Sequence, residues 1–267
     1  MKTRKNATLS DVQAVYSGGE GALWELVMGE QIHIGGFVSS TALAERAGVG
    51  AGMKGVDLCC CNGAGMRFLA RYRNVDAVCG VDATPAIVAE CRKRCAAEGF
   101  GDRLTTVEAD VCATGLPSGE ADFVWGEDAW CYVVDKPALI AEAVRLVKPG
   151  GLVVFTDWLE GTGLSDAEAE RFMGFMKFPS LLTIDEYAGL LEREGCEMLC
   201  AEDTGQYARH VDLYINMLTM QLTGDALRCI GYDQNLLQAL GGELAFVQQL
   251  AHAGKLAQGR FVARRRG

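Results

Sequence analysis

The chain has 267 residues, 49% of them hydrophobic and 22% charged, and its 25 basic and 35 acidic residues leave a net charge of −10. That balance argues against duplex nucleic acid as the main partner. No apolar run reaches the ~18 residues of a membrane span, and the basic start "MKTRKNATLSDVQAVYS" lacks the apolar stretch of a secretory signal. One large domain with a full core is within reach of this length. Eleven cysteines are spread along the chain, with only three histidines to join them. Nothing in their spacing offers the four ligands of tetrahedral zinc, so no metal is expected. Reduced thiols packed as small hydrophobes point to a cytoplasmic protein. The terminal "ARRRG" reads as a solvated tail.

Residues 1 to about 45 look helical, with interruptions at "SGGEG" and "HIGG". A regular alternation then begins. "GVDLCC" is a buried strand and "GMRFLARYR" the helix after it. "DAVCGVD" is the second strand, followed by the helix "TPAIVAECRKRCAAEG", in which Thr84 caps and Pro85 occupies the first turn. "RLTTVEAD" is the third strand and "ADFVWGED" the fourth, with Trp125 in the core. The helix "KPALIAEAVRLV" follows and "KPGG" stops it. "GLVVFTDW" is the fifth strand. Apolar strands separated by helices predict a mostly parallel sheet covered on both faces.

After Trp158 the rhythm changes. "LEGTGLSDAEAERFMGFMKFPS" reads as a helical insertion rich in Met and Phe, "TIDEYAGLLEREG" as a further helix and "CEMLCAED" as the sixth strand. The stretch from Tyr207 to Gly254 predicts a pair of long helices, and "GRFVARR" a last strand. Those helices leave room for a homodimer interface. The expected arrangement is one domain: residues 1–45 as an N-terminal helical lid, 46–158 as a cofactor-binding core, 159–182 as a cap insertion, and 183–267 as a C-terminal half carrying a helical insertion and the last strand.

In a doubly wound sheet, ligands bind at the C-terminal edge where strand order switches. Here the first turn is "CCCNGAG", Asp82 closes the second strand, and Asp110 with Val111 follows the third. Asp82 suits ribose hydroxyls. Asp110 suits an adenine amino group, with Val111 against the ring. Three adjacent cysteines invite a metal reading, but neighbouring side chains on a strand point to opposite faces.

"VDLCCCNGAG", "GVDATP", "EADVCATGLPSGEADFVWGED" and "EAVRLVKPGGLVVFTDW" resemble, in that order, the motifs of class I S-adenosylmethionine-dependent methyltransferases. "GEQIHIGGF" and "AGKLAQGRFVARR" are similar to the small-molecule branch with sarcosine/dimethylglycine and phosphoethanolamine methyltransferases. The resemblance implies a Rossmann-like, doubly wound α/β fold: a seven-stranded, mostly parallel sheet with an antiparallel last strand, plus helical cap insertions. It implies S-adenosyl-L-methionine as cofactor, S-adenosyl-L-homocysteine as product, and N-methylation of a small amine of the glycine type. A hydroxyl, carbon, thiol or arsenic acceptor and a non-catalytic binding module stay open as alternatives. A nicotinamide oxidoreductase would want G-x-G-x-x-G and a second catalytic domain, and neither is visible.

The family loop D-x-G-x-G-x-G falls on Asp57, Cys59, Cys61 and Gly63. Cysteine carries a Cβ where glycine permits unusual φ, so the backbone at Cys59 and Cys61 is expected in the β or bridge region, with the cofactor displaced slightly outward. Asp82, Ala83, Asp110, Val111 and Glu127 complete the expected cofactor set. The acceptor belongs over strands four and five. His33, in the lid that the resemblance implies, and Asp128 and Tyr132 are the catalytic candidates, His33 as a proton acceptor near neutrality. Trp130, Trp158, Met173, Met176 and Arg209 are candidates for the acceptor pocket, with aromatic rings suiting a cationic substrate.

Overall fold

The structure is a computed structural model that describes residues 1–4, 8, 10, 11, 13 and 19–267, with residues 19 and 20 described by their backbone alone. The expected helical lid over residues 1–45 and the interruption at "SGGEG" therefore fall partly outside the described residues. The first elements are β1 (Lys2–Thr3), α1 (Gly19–Met28) and α2 (Gly36–Ala47), before the alternation begins with β2 (Lys54–Leu58), α3 (Ala64–Tyr72), β3 (Ala77–Asp82) and α4 (Pro85–Ala97). Next come β4 (Leu104–Glu108), β5 (Ala121–Glu127), α5 (Lys136–Leu146) and the long β6 (Val147–Glu160). The remainder comprises α6 (Asp166–Met176), β7 (Ser180–Leu181), α7 (Ile184–Arg193), β8 (Cys196–Asp203), α8 (Tyr207–Asn216), α9 (Thr223–Cys229), α10 (Gln234–His252) and β9 (Leu256–Arg265).

Seven strands form one sheet in the order β4-β3-β2-β5-β6-β9-β8. Pairing is parallel from β4 through β6 and antiparallel on both sides of β9. β2 has β3 on one side and β5 on the other, so the chain reverses its progress across the sheet at β2. The C-terminal ends of β2 and β5 part there and leave a crevice.

The two-residue period of the strands divides the core. Val124, Val153 and Phe155 face α5 and α7, where Ile140, Ala143, Tyr187 and Leu191 meet them. Phe123, Trp125 and Val154 face the opposite way, towards Leu43 and Ala44 of α2 and Met66 and Leu69 of α3. A third cluster gathers Trp158, Phe172, Met173, Met176 and Phe178 with Tyr207 and Val211 of α8 and Leu250 of α10. Local signals set the helix starts. Ser165 with Glu168, and Thr183 with Glu186, form capping boxes on α6 and α7.

Three expectations are corrected. The predicted pair of long helices after Tyr207 is α8, a wide turn at Met217–Gln221, then α9 and α10. The break falls where Gly231 and Tyr232 take positive φ and Asp233 caps the restart by accepting from the Asn235 and Leu236 N–H groups. "KPGG" closes α5 but belongs to β6, and β9 starts at Leu256 rather than Gly259, because the antiparallel ladder runs out to Glu160 opposite Leu256.

Phe155 is the hinge of the α5-side core, stacked on Trp130 at 4.1 Å and on Phe261 at 4.5 Å between ring centroids. Phe155→Ala is expected to cost about 3–5 kcal/mol of stability, read from the midpoint and slope of urea denaturation; a loss below 1 kcal/mol would mean the stack is not formed.

Candidate active site

The turn after β2 is built by backbone hydrogen bonds. The N–H groups of Cys59 and Cys60 both donate to the Val81 carbonyl, at 2.9 and 3.1 Å, which ties the turn to β3. The Cys61 N–H donates to Asp82 Oδ2 at 3.1 Å, and the Gly63 N–H returns to the Cys60 carbonyl at 2.9 Å. To meet these partners, Cys59 and Cys61 adopt φ of 64° and 47°. The expected β or bridge backbone is thus corrected: both cysteines keep the left-handed conformation that glycine takes without strain. The side chains of Cys59 and Cys60 diverge. Cys59 packs against the α5-side core, while Cys60 lies in the opposite core beside Gly80, where a Cβ would come within 2.7 Å of its Sγ.

Gly63 caps α3 with φ 78°, and a Cβ there would lie 2.5 Å from Cys91 Sγ. Gly65, two residues further, brings the helix start between two acids, because its Cβ would sit 3.1 Å from Glu127 Oε2 and 3.2 Å from Asp57 Oδ2. Both carboxylates are buried. Burial, reinforced by neighbouring Glu127, pushes the Asp57 carboxyl well above the usual carboxylate range. Asp82 accepts from the Thr84 N–H at 2.9 Å as well as from Cys61, so each oxygen keeps a lone pair for a ligand. Asp110 is turned by the Cys112 N–H, which donates to Oδ1 at 2.8 Å.

At the end of β5, Asp128 holds φ 51°, another left-handed non-glycine. Its Oδ2 accepts from the Ile34 N–H and from Gln258 Nε2, each at 2.8 Å, whereas Oδ1 is buried with no hydrogen-bond partner among the described residues. Burial pushes its carboxyl up to about 6, with His33 opposing the shift and Asp157 reinforcing it. His33 is buried, with Nε2 at 3.1 Å from Ser40 Oγ and 3.4 Å from Glu127 Oε1. The second contact is close but not aligned as a hydrogen bond. Tyr214 of α8 accepts the Gly35 N–H at 2.9 Å, and Gln258 also donates to the Ile34 carbonyl at 3.0 Å. β9 and α8 together thus pin the segment that carries His33.

A cavity of about 340 Å³ opens at the strand switch, within the size range of small-molecule sites. It brings together Asp57, Cys59 and Cys61 of the turn, Asp82 and Ala83 after β3, and Asp110 and Val111 after β4. Glu127 lines it from the end of β5, Asp128 and Tyr132 from the loop that follows, and His33 from the segment between α1 and α2. The other candidates lie elsewhere. Gly63 supports the turn without lining the cavity. Trp130 points under the sheet, donating from Nε1 to the Leu58 carbonyl at 3.3 Å. Trp158, Met173 and Met176 are spent on the third core cluster, and Arg209 is exposed on α8. Gln258, Tyr214, Thr84, Asn62 and Gly65 had not been expected. The signal for Gln258 was a polar residue in the apolar last strand; nothing local marks Tyr214.

Known proteins place this arrangement. The profile of a methyltransferase domain matches residues 56–155. The 27-O-demethylrifamycin SV methyltransferase of Amycolatopsis mediterranei is 28% identical over 203 residues, 70% of this chain and 74% of that protein. The dimethylglycine N-methyltransferase of Parasynechococcus marenigrum is 30% identical over 115 residues, 43% of this chain and 41% of that one. Among solved structures, phosphoethanolamine N-methyltransferase 2 of Haemonchus contortus, in complex with phosphomonomethylethanolamine and S-adenosylhomocysteine, shares the fold with a TM-score of 0.84. That match has 19% identity and covers 96% of this chain and 59% of that one. Fold, site and domain match define a methyltransferase of the Rossmann-like type. Residues 56–155 thus form a methyltransferase domain, and the chain is similar to S-adenosylmethionine-dependent methyltransferases that act on small molecules.

Replacing Cys59 and Cys61 by glycine relieves left-handed strain against a gain in unfolded-chain entropy. Each substitution is expected to change stability by between 0 and about +1 kcal/mol in urea denaturation, and a loss above 1 kcal/mol at both sites would contradict the positive φ. Asp128 titrates in the fold at about 6, above the ~3.9 of an unfolded aspartate. The folded state therefore binds the extra proton between those values, and stability falls as pH rises through this window. Burial raises Asp57, Asp82 and Asp157 in the same direction. The protein is expected to be more stable at pH 5 than at pH 7, and Asp128→Asn should remove about 1 kcal/mol of that difference, measured by isothermal denaturation.

Proposed function

We propose that the chain transfers a methyl group from S-adenosylmethionine to the nitrogen of a small-molecule amine. The observation that carries this reading is the convergence of the left-handed turn with the carboxylates of Asp57, Asp82 and Asp110 on one cavity at the strand switch. The residues fit the cofactor. Asp82, with acceptor capacity left on both oxygens, would take the ribose diol, and Asp110 with Val111 would take the adenine edge and face. Asp57 and Glu127, buried together at the start of α3, suit the methionine ammonium, since a cation there offsets two crowded negative charges. His33, Asp128 and Tyr132 line the same cavity, and the acceptor is assigned to them.

S-adenosylmethionine supplies a methyl on a positively charged sulfur, which leaves as a neutral thioether with the C–S electron pair when an acceptor lone pair forms the new N–C bond. This chain's residues align the acceptor, exclude water and remove its proton. Asp128 is the candidate for the last task, a buried carboxylate that lines the cavity with Oδ2 anchored by Ile34 and Gln258.

Calorimetric titration with S-adenosylhomocysteine tests the cofactor half. Wild type is expected to bind, Asp82→Ala to bind about 10–100-fold more weakly, and NAD not to compete. Asp128→Asn should keep S-adenosylhomocysteine affinity within a few fold and lower kcat/KM by about 100-fold. A wild type that ignores millimolar S-adenosylhomocysteine would overturn the reading.

A further inference from the structure

Asp57 and Glu127 bracket the start of α3, with Oδ2 and Oε2 at 3.2 and 3.1 Å from the point where a Gly65 Cβ would stand. No described residue donates a hydrogen bond to either carboxyl group; Glu127 has only the unaligned His33 Nε2, 3.4 Å from Oε1. Trp125 Nε1, 3.5 Å from the same point, is buried and equally without a partner. Asp57 is only 4% exposed, yet it lines the cavity.

The groups facing Asp57 make its ionised form costly. Glu127 stands on β5 and Asp82 at the end of β3, both acidic. The thiols of Cys59 and Cys60 in the turn and of Cys91 and Cys95 on α4 lie around it. Arg67 of α3 is spent on Glu30 at 2.7 Å and Glu98 at 2.8 Å, and His33 faces Glu127 from the segment between α1 and α2. The favourable partner is the partial positive charge at the start of α3. A carboxyl group in this setting keeps its proton, because ionising it would bury a charge without a donor beside two other acids. An ammonium reverses that balance, since it brings opposite charge and N–H donors to the oxygens that lack them.

We propose that Asp57 is protonated in the cofactor-free protein and gives up that proton to solvent when the ammonium of the cofactor binds beside it. This deepens the proposed function and rests on its assignment of Asp57 and Glu127 to the methionine ammonium. The free protein then holds one proton more than the complex, so affinity rises with pH. The slope is about tenfold per pH unit between the Asp57 pKa of the complex and that of the free protein, and flat on either side. Acidification therefore releases the cofactor, and the site senses pH through a residue of its own.

The test is isothermal titration of S-adenosylhomocysteine into the full chain at pH 7, in phosphate and in imidazole, whose ionisation heats differ. The dependence of the observed heat on the buffer counts the protons exchanged. Wild type is expected to release 0.5 to 1 proton and to bind about 10-fold more weakly at pH 6 than at pH 7. 5′-Methylthioadenosine, which lacks the ammonium, should bind with no release. Asp57→Asn should bind S-adenosylhomocysteine about 10–100-fold more weakly at pH 7, without proton release or pH dependence. It should hold 5′-methylthioadenosine within a few fold, which reports an intact fold. Release below 0.2 proton by wild type, equal release with 5′-methylthioadenosine, or unchanged release from Asp57→Asn would each overturn the inference. Should Asp57→Asn fail to fold, the two wild-type titrations decide alone. A wild type that binds neither ligand would instead remove the cofactor reading beneath it.

Discussion

Three backbone N–H groups in succession, from Cys59 to Cys61, are claimed by the end of β3: two by the Val81 carbonyl and one by the Asp82 carboxylate. That short lattice forces the chain to reverse within three residues, and the reversal is possible only with positive φ at Cys59 and Cys61. Once the turn is set, α3 must start at Gly63, and its first residues must pass between Asp57 and Glu127. The same Asp82 that closes the turn keeps its remaining lone pairs towards the cavity. A single set of hydrogen bonds therefore positions the helix start, the carboxylates and the opening that a nucleoside can enter.

The site stores electrostatic cost rather than relieving it. Asp57, Glu127, Asp128 and Asp157 are buried within one sheet edge, and burial raises the carboxyls of Asp57, Asp128 and Asp157. Buried acids persist only where the surrounding fold over-determines them. Here the fold does so through Gln258 and Ile34 on Asp128, and through Tyr187, Lys136 and the Cys131 N–H around Asp157. A cationic group bound in the cavity would lower that cost, since the demand is set by negative charge held in low dielectric.

Much of this architecture was legible because it repeats. Apolar runs separated by capped helices identify β2 through β6, and the acids Asp82 and Glu127 close their strands while Asp128 and Asp110 sit one and two residues past theirs. Strand length and side-chain period leave little freedom there. The acceptor wall was harder to read. Trp130, Trp158, Met173 and Met176 have the composition of a pocket lining, yet composition is equally that of a core, and each is drawn into one. The cysteines at the turn misled in the opposite direction. A Cβ argues for ordinary backbone, but the hydrogen-bond partners offered by β3 outweigh roughly 1 kcal/mol of local strain per residue.

Local chemistry, read in order along the chain, was enough to determine that this is a doubly wound α/β protein with a nucleoside-type turn and three acids aligned on one edge. Period, caps and turn residues act over a few positions and need no partner to be understood. Only the tertiary structure decided what closes the site. His33, Tyr214 and Gln258 come from the segment between α1 and α2, from α8 and from β9, with Ile34 and Gln258 separated by 224 residues, and they meet because antiparallel β9 inserts beside β6. Likewise, Arg67, Lys136 and Arg260 meet partners far along the chain, at Glu30, Ser180 and Glu202. Such long-range pairing is settled by competition among all available charges, and no single stretch of sequence contains that competition.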